Sequence, residues 1–436
     1  MQVDTVWHCG LLCNRKNFGV TCLASFAALF FCACGNVDLD GTRSGKGENS
    51  YAQTADPMET STWNGESSGM ALTDLPGGLM FPRAFAVKTQ KTRESASEHS
   101  LLVWGQNPDG ATCSAGIYDE QAQRWQSLKL PADAASNCNQ VCAGSSQIFY
   151  CSAQSCYSGD FAGNWTKLAA EPLRDRMLLR SAPFQLLCEA DGGMLAAGDF
   201  SDADGTEHLT ILRKSTGNES WVEVQGPAGA RLSADSHIEV IGQALILWTE
   251  EPAGAHKVSV KKDGDWSLLP PPVELPADAH VYVVPTVDSL IVRYHSPKRD
   301  RTEAAFYGQF RYRLKEARWQ LLNESLPLGS GISRAVVRDE SWFWGGEKLS
   351  RQASRADDVL KRSCFAGGIG VNADFTKSVN LHEREYECRG RAALAILPAA
   401  DGKPERLAVF GGCTMLDGKC SSWNDLGGFF LSLPGF

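Results

Sequence analysis

Seven histidines lie between His99 and His382, and whether any two could share a metal is the first chemical question the chain poses. They are His99, His208, His237, His256, His280, His295 and His382, each standing alone, with no HxH or HxxxH pairing. Such pairings bring two imidazoles to one side of an element, and scattered histidines do not. On an extended strand His280 and Tyr282 would share a face, whereas Tyr294 and His295 would point to opposite faces. Asp199, Asp202 and Asp204 with Gly205 have the composition of a calcium loop but not its full ligand spacing. Arg83, Arg180, Arg334 and Arg391 lie at or near candidate inner strands. Bidentate carboxylate recognition would suit them, but no linear motif joins them, and they read as solvated or structural. The stretch GTRSGKGENS from Gly41 lacks the spacing of a phosphate loop. No catalytic, cofactor-binding or metal-ligating residue is therefore assigned, and no cofactor is implied.

Cysteines carry the next signal. Of fifteen, five lie at or before Cys34 and ten beyond it, none of the ten in a CxxC. An even number in an exported chain points to disulfides, and the missing CxxC argues against zinc. Cys151 with Cys156, and Cys413 with Cys420, are expected to close local loops between strands. Cys138/Cys142 and Cys364/Cys388 are weaker candidate pairs, and Cys113 and Cys188 have no obvious partners. The compartment is read from the N-terminus. Arg15 and Lys16 precede an apolar run from Phe18 to Phe31 that ends in small residues. That run is a signal-peptide core, short of the ~20 residues a transmembrane helix needs. Ala33-Cys34 resembles a bacterial lipobox junction, which implies lipidation of Cys34, and Gly35 after it implies the outer membrane. Residues 1–33 are thus read as signal peptide, with 1–14 an extension ahead of the basic residues. Residues 34–62, almost free of large apolar side chains, are read as a flexible tether.

From residue 63 onward, strand-like runs alternate with turn clusters at a period of roughly 40–55 residues, the mark of a repeat architecture. Repeats end at Trp125, Trp165, Trp221, Trp266, Trp319 and, in degenerate form, Phe375. Earlier in most units comes an apolar run, as in LLVWGQ from Leu101, SWFWGGE from Ser341 and RLAVFGGC from Arg406. This organisation resembles the kelch-type, galactose-oxidase-like β-propeller. In that family a Gly doublet ends the second strand, and Tyr on the third and Trp on the fourth pack between blades. Gly345-Gly346, Gly411-Gly412, Tyr118 and Trp125 match. The resemblance implies an all-β ring of four-stranded antiparallel blades over 63–436. The repeats count to seven, with six the alternative. The seventh, from about Leu381, lacks its closing strand, so the segment around 62–75 is expected to complete the last blade and remove the open edge.

Two enzymatic propellers test the function. The turns from Ser158 (SGDFAGNW) and Ser215 (STGNESW) resemble degraded Asp-box turns of sialidases, but hairpin chemistry explains their Asp, Asn and Gly. The copper centre of galactose oxidase needs paired His and Tyr that the scattered histidines do not offer. A net charge of −9 argues against a nucleic-acid partner and against electrostatic binding to anionic lipid. The segment from Lys348 to Ser363 mixes charges at helical spacing and reads as an excursion from blade six suited to a partner. The expectation is a monomeric, lipid-anchored envelope propeller. It would be a non-catalytic scaffold for a protein or glycan bound through its blade loops. The alternative is a carbohydrate-active enzyme, a sialidase-like hydrolase or an oxidase, at the same place.

Overall fold

The computed structural model describes residues between Ala52 and Pro434, leaving out several connecting segments, among them 70–78, 90–97, 169–184, 270–279, 296–306, 323–332 and 382–388. Within these residues the chain forms seven small antiparallel sheets of four strands arranged as a seven-bladed propeller, without helices. Blade 1 consists of Met80–Thr89, Glu98–Gln106, Cys113–Asp119 and Arg124–Ser127, paired in that order. The innermost strands of blades 2 to 7 are Val141–Ala143, Gln185–Cys188, His237–Ile241, His280–Pro285, Ser333–Val337 and Ala393–Leu397. The second strand of most blades is built on an apolar run because both its faces are covered by neighbouring blades. Ala244–Glu250 and Glu340–Trp344 are examples, with Trp248, Trp342 and Trp344 almost wholly buried.

The repeat-end aromatics sit where the period predicts. Trp125, Trp165, Trp266 and Trp319 lie on outermost strands, and Trp221 immediately precedes Val222–Gln225. Their role is to join blades. Trp165 donates its indole N–H to the carbonyl of Lys129 at 2.7 Å, and Trp266 does the same to Gln225 at 2.6 Å, each reaching back to the preceding blade. Gly159 is needed beneath Trp165, since a Cβ there would enter its ring. The Gly doublets also serve packing between blades. Gly345 and Gly412, both at positive φ, press against Arg389 and Gly390, and Gly346 donates its N–H to the Arg389 carbonyl at 2.9 Å. Any side chain at Gly345 would collide with that backbone, so the doublet admits the short strand Arg389–Gly390 that leads into blade 7.

The last blade is closed by the N-terminal segment. Ser67–Gly69 pairs antiparallel with Gly428–Ser432 as its outermost strand. The pairing is more extended than expected, however. Thr62 and Trp63 belong to a strand, Glu59–Trp63, that runs parallel to Lys377–Leu381 on the rim of blade 6, not blade 7. Ala52–Thr54 likewise runs parallel to Arg318–Leu321 on blade 5. Part of the segment read as a tether therefore forms strands, because the outer edges of blades 5 and 6 offer unpaired backbone groups that composition alone does not reveal. Trp63 spans the step between blades by donating its indole N–H to the Ser432 carbonyl at 3.0 Å. Leu381 ends blade 6 and does not begin the seventh unit, whose inner strand starts at Ala393.

At the blade 7–blade 1 seam, Tyr118 and Trp125 pack with Phe430 and Phe410 at ring separations of 5.8 and 5.2 Å. Arg406 of blade 7 grips the Glu120 carboxylate with both terminal nitrogens, one of them at 3.0 Å, and lies over Phe430. A bidentate, partly buried pair of this kind resists slippage between the first and last blades.

Candidate functional site

Because strands alternate in direction, each propeller blade sends its one-to-two and three-to-four turns to one end of the ring. Its two-to-three loop and the crossing to the next blade go to the other. The first end is closed by tight, self-satisfied turns. Asp160 accepts the N–H groups of Ala162 and Asn164, both at 2.9 Å, and the Asn164 amide at 2.8 Å. Those bonds hold the Asp160 carboxyl below its ordinary range, led by the Asn164 amide. The SGDFAGNW turn is thus a hairpin, as its residue types suggested. Of STGNESW, Thr216 to Glu219 lie outside the described residues. On the same end, the fully buried Arg311 donates to Ser289 Oγ and the Asp374 carbonyl at 2.8 Å, and to Asp288 at 3.2 Å. Its guanidinium lies 4.3 Å from the centre of the Phe375 ring, fastening blade 5 to blade 6.

The opposite, connection end carries the elaborations. Between strands two and three of blade 6 the chain makes a hairpin, Glu347–Ala353 with Asp358–Cys364. The segment read as charges at helical spacing is therefore two-stranded. Between the corresponding strands of blade 7 lies a second hairpin, Cys413–Leu416 with Lys419–Ser422, extended by Arg389–Gly390 into a three-stranded sheet. The Cys413–Cys420 disulfide staples it, and Cys151–Cys156 staples the blade 2 loop, both as expected from the sequence. The remaining pairings differ from the weaker candidates. Cys138 bonds Cys113, tying the blade 1–blade 2 crossing to the third strand of blade 1, and Cys142 bonds Cys188 between the inner strands of blades 2 and 3. Cys138 and Cys142 are near in sequence, but each faces a different blade, a relation that exists only once the ring has formed. Cys388, the candidate partner of Cys364, lies outside the described residues.

The central channel brings together charges that the sequence leaves apart. Arg83, Glu239 and Arg334 occupy the fourth, third and second positions of the inner strands of blades 1, 4 and 6. Inner strands all enter from the connection end, so Arg334 lies near that end of its strand and Glu239 at the middle of its own. Arg83 is exposed, and Glu239 and Arg334 are half-buried. Burial pushes the Glu239 carboxyl above its ordinary range, against the pull of Arg334 and then Arg83. Burial likewise lowers both guanidinium groups, against the pull of Glu239. Arg83 is further tied to blade 2 by a 3.2 Å bond to the Val141 carbonyl. At the mouth, Arg391 lies over the Phe81 ring at 5.5 Å.

Two of the four candidate arginines thus act electrostatically on one carboxylate, Arg391 lies against Phe81, and Arg180 lies outside the described residues. Glu239 was missed. Its one local signal is a charge between Ile238 and Val240 on a short apolar strand. The histidines remain dispersed over several blades, although the register sets His280 opposite His295. Asp199 caps the Leu232 N–H at 2.8 Å, while Asp202 and Asp204 lie outside the described residues. No group of three or more metal-binding side chains occurs among the described residues. Cys34 and the Gly41–Ser50 stretch also lie outside them.

No family model matches the chain, and no curated protein matches it. Among solved structures, one described as the structure of YjhT aligns over 64% of this chain and 90% of its own, at 15% identity and a TM-score of 0.38.

Proposed function

We propose that the propeller is a non-catalytic recognition scaffold of the cell envelope, anchored by lipid at Cys34 and engaging a protein or glycan with its connection end. The observation that supports this most is the placement of both inserted hairpins, at blades 6 and 7, on one end of the ring beside the channel mouth. Excursions on a rigid scaffold are where recognition is commonly carried. The kelch-type relationship, the outer-membrane location and the monomeric state belong to the same proposal. The test replaces residues 349–362 with a two-residue turn and compares capture from detergent-solubilised envelopes with that of the parent protein. Loss of a specific bound component, with unchanged thermal unfolding, is expected. Turnover in a glycoside and alcohol-oxidation panel, abolished by changing Arg83 or Arg334, would instead establish the carbohydrate-active alternative. The anchor fails if native protein carries no acyl mass at Cys34.

A further inference from the structure

We infer that blade 5 carries, at its connection end, a binding site for a divalent transition-metal ion such as zinc, with His280 and His295 as its two protein ligands. The inference does not rest on the recognition reading above and would stand if the propeller bound no partner.

The histidines that are scattered in sequence are gathered by the fold. Six of them lie on described strands. Five, His208, His237, His256, His280 and His295, occupy the first, second or last residue of a strand, each time at its connection end. The sixth, His99, is second in Glu98–Gln106 and lies at the hairpin end. Among the six, the register sets one pair directly opposite each other. His280 opens the inner strand of blade 5, and His295 closes its second strand, Ser289–His295. By contrast, His208 opposes Phe200, His237 opposes Trp248 and His256 opposes Glu250.

Residues directly opposite across an antiparallel pair share one face of the sheet, with Cβ atoms about 4.5–5.5 Å apart. Two imidazoles rooted at that spacing can span a single ion, which takes each nitrogen at about 2.0–2.1 Å. Backbone pairing on both sides holds His295 in place, since it also opposes Tyr307 at the start of the third strand, Tyr307–Arg313. Tyr307 thereby adds an oxygen-bearing residue to the same row. Imidazole nitrogen suits zinc, copper or nickel, whereas magnesium and calcium prefer oxygen ligands. With two protein ligands, coordination positions remain for water or for a donor from another molecule, as in open metal sites. A whole hairpin separates the two histidines in the chain, so no HxH or HxxxH spacing announces the pair.

The test is a calorimetric titration of the untagged full chain, its free thiols alkylated beforehand, with zinc chloride. Saturable binding of one zinc ion per chain, not displaced by excess magnesium, is expected. His280→Gln and His295→Gln should each weaken it by more than about tenfold, since even an outer partner of a metal ligand is worth about 10–100-fold in affinity. The double variant should add little to either single one, because each alone destroys the chelate. His99→Gln, at the opposite end, should change nothing. In the parent protein, zinc should protect His280 and His295 together, but not His99, from carbethoxylation mapped by mass spectrometry. That measurement keeps the test decisive if either variant fails to fold. No saturable binding, displacement by magnesium, affinity retained in either single variant, or failure of zinc to protect both histidines would each overturn the inference.

Discussion

At the hairpin end of the propeller the connections are short, spanning 242–243, 286–288, 120–123 and 314–317. At the connection end they reach 345–367 and 411–427. The short turns keep their polar groups to themselves, as Asp160 does with Ala162 and Asn164, or spend them on the adjoining blade, as Arg311 does with Asp374. At the connection end disulfides brace the 411–427 loop, the blade 2 loop and the crossing from blade 1 to blade 2, while charges from three blades act on one another across the channel. The same chain thus uses arginine in two ways. Arg311 is sealed and has its hydrogen bonds satisfied within the fold, so it serves stability. Arg83 and Arg334 keep access to solvent and lie within electrostatic reach of Glu239, across three blades. Solvent access and the partners within reach, not the residue type, separate the two uses.

That contrast can be broken by mutation. The largest effect is expected from Arg311→Met, which removes one partner of a buried network, leaving Ser289 Oγ without its guanidinium donor and taking from the Asp374 carbonyl the shorter of its two arginine bonds. Destabilisation by about 3–5 kcal/mol in denaturant unfolding would mark this arginine of the hairpin end as structural. Replacing Cys113 and Cys138 by Ser should cost about 2–4 kcal/mol, because the crossing from blade 1 to blade 2 loses its tie. A smaller, pH-dependent effect belongs to Glu239. Its folded-state pKa is raised, so the folded protein binds the extra proton first. Its ionisation therefore opposes folding at high pH, and that penalty is relieved as pH falls through the raised value toward the ordinary carboxylate range. Glu239→Gln should erase this dependence and be at least as stable as the parent at pH 8. Unfolding midpoints across pH 5–8 would show it. The smallest effect on stability should come from replacing residues 349–362, within about 0.5 kcal/mol, since a two-residue turn can reconnect blade 6.

Much of this fold can be read from single residues, and the reason is physical. Trp125, Trp165, Trp266 and Trp319 recur because every seam between blades needs a large ring at the same height, and periodicity exposes what each blade repeats. Cys151–Cys156 and Cys413–Cys420 are legible because each closes a local loop. Cys113–Cys138 and Cys142–Cys188 are not, because their partners meet only through neighbouring strands and blades. The site is harder still to read. Arg83 and Arg334 could be chosen as inner-strand arginines, but Glu239 lies in an unrelated blade, and nothing linear relates the three. The strands Ala52–Thr54 and Glu59–Trp63 show the converse failure. Their composition is that of a tether, and the rims of blades 5 and 6 supply the pairing their own side chains do not specify.

The division between the two ends is tested most directly by photo-crosslinking in intact cells. A photoreactive amino acid would be placed singly at Arg351 or Lys419 on the connection-end hairpins, and at Lys262 or Lys315 in turns of the hairpin end. Discrete crosslinked species from the first two positions and none from the second two are the predicted result. Equal crosslinking from both ends, or crosslinking confined to Lys262 and Lys315, would contradict the assignment of recognition to the connection end.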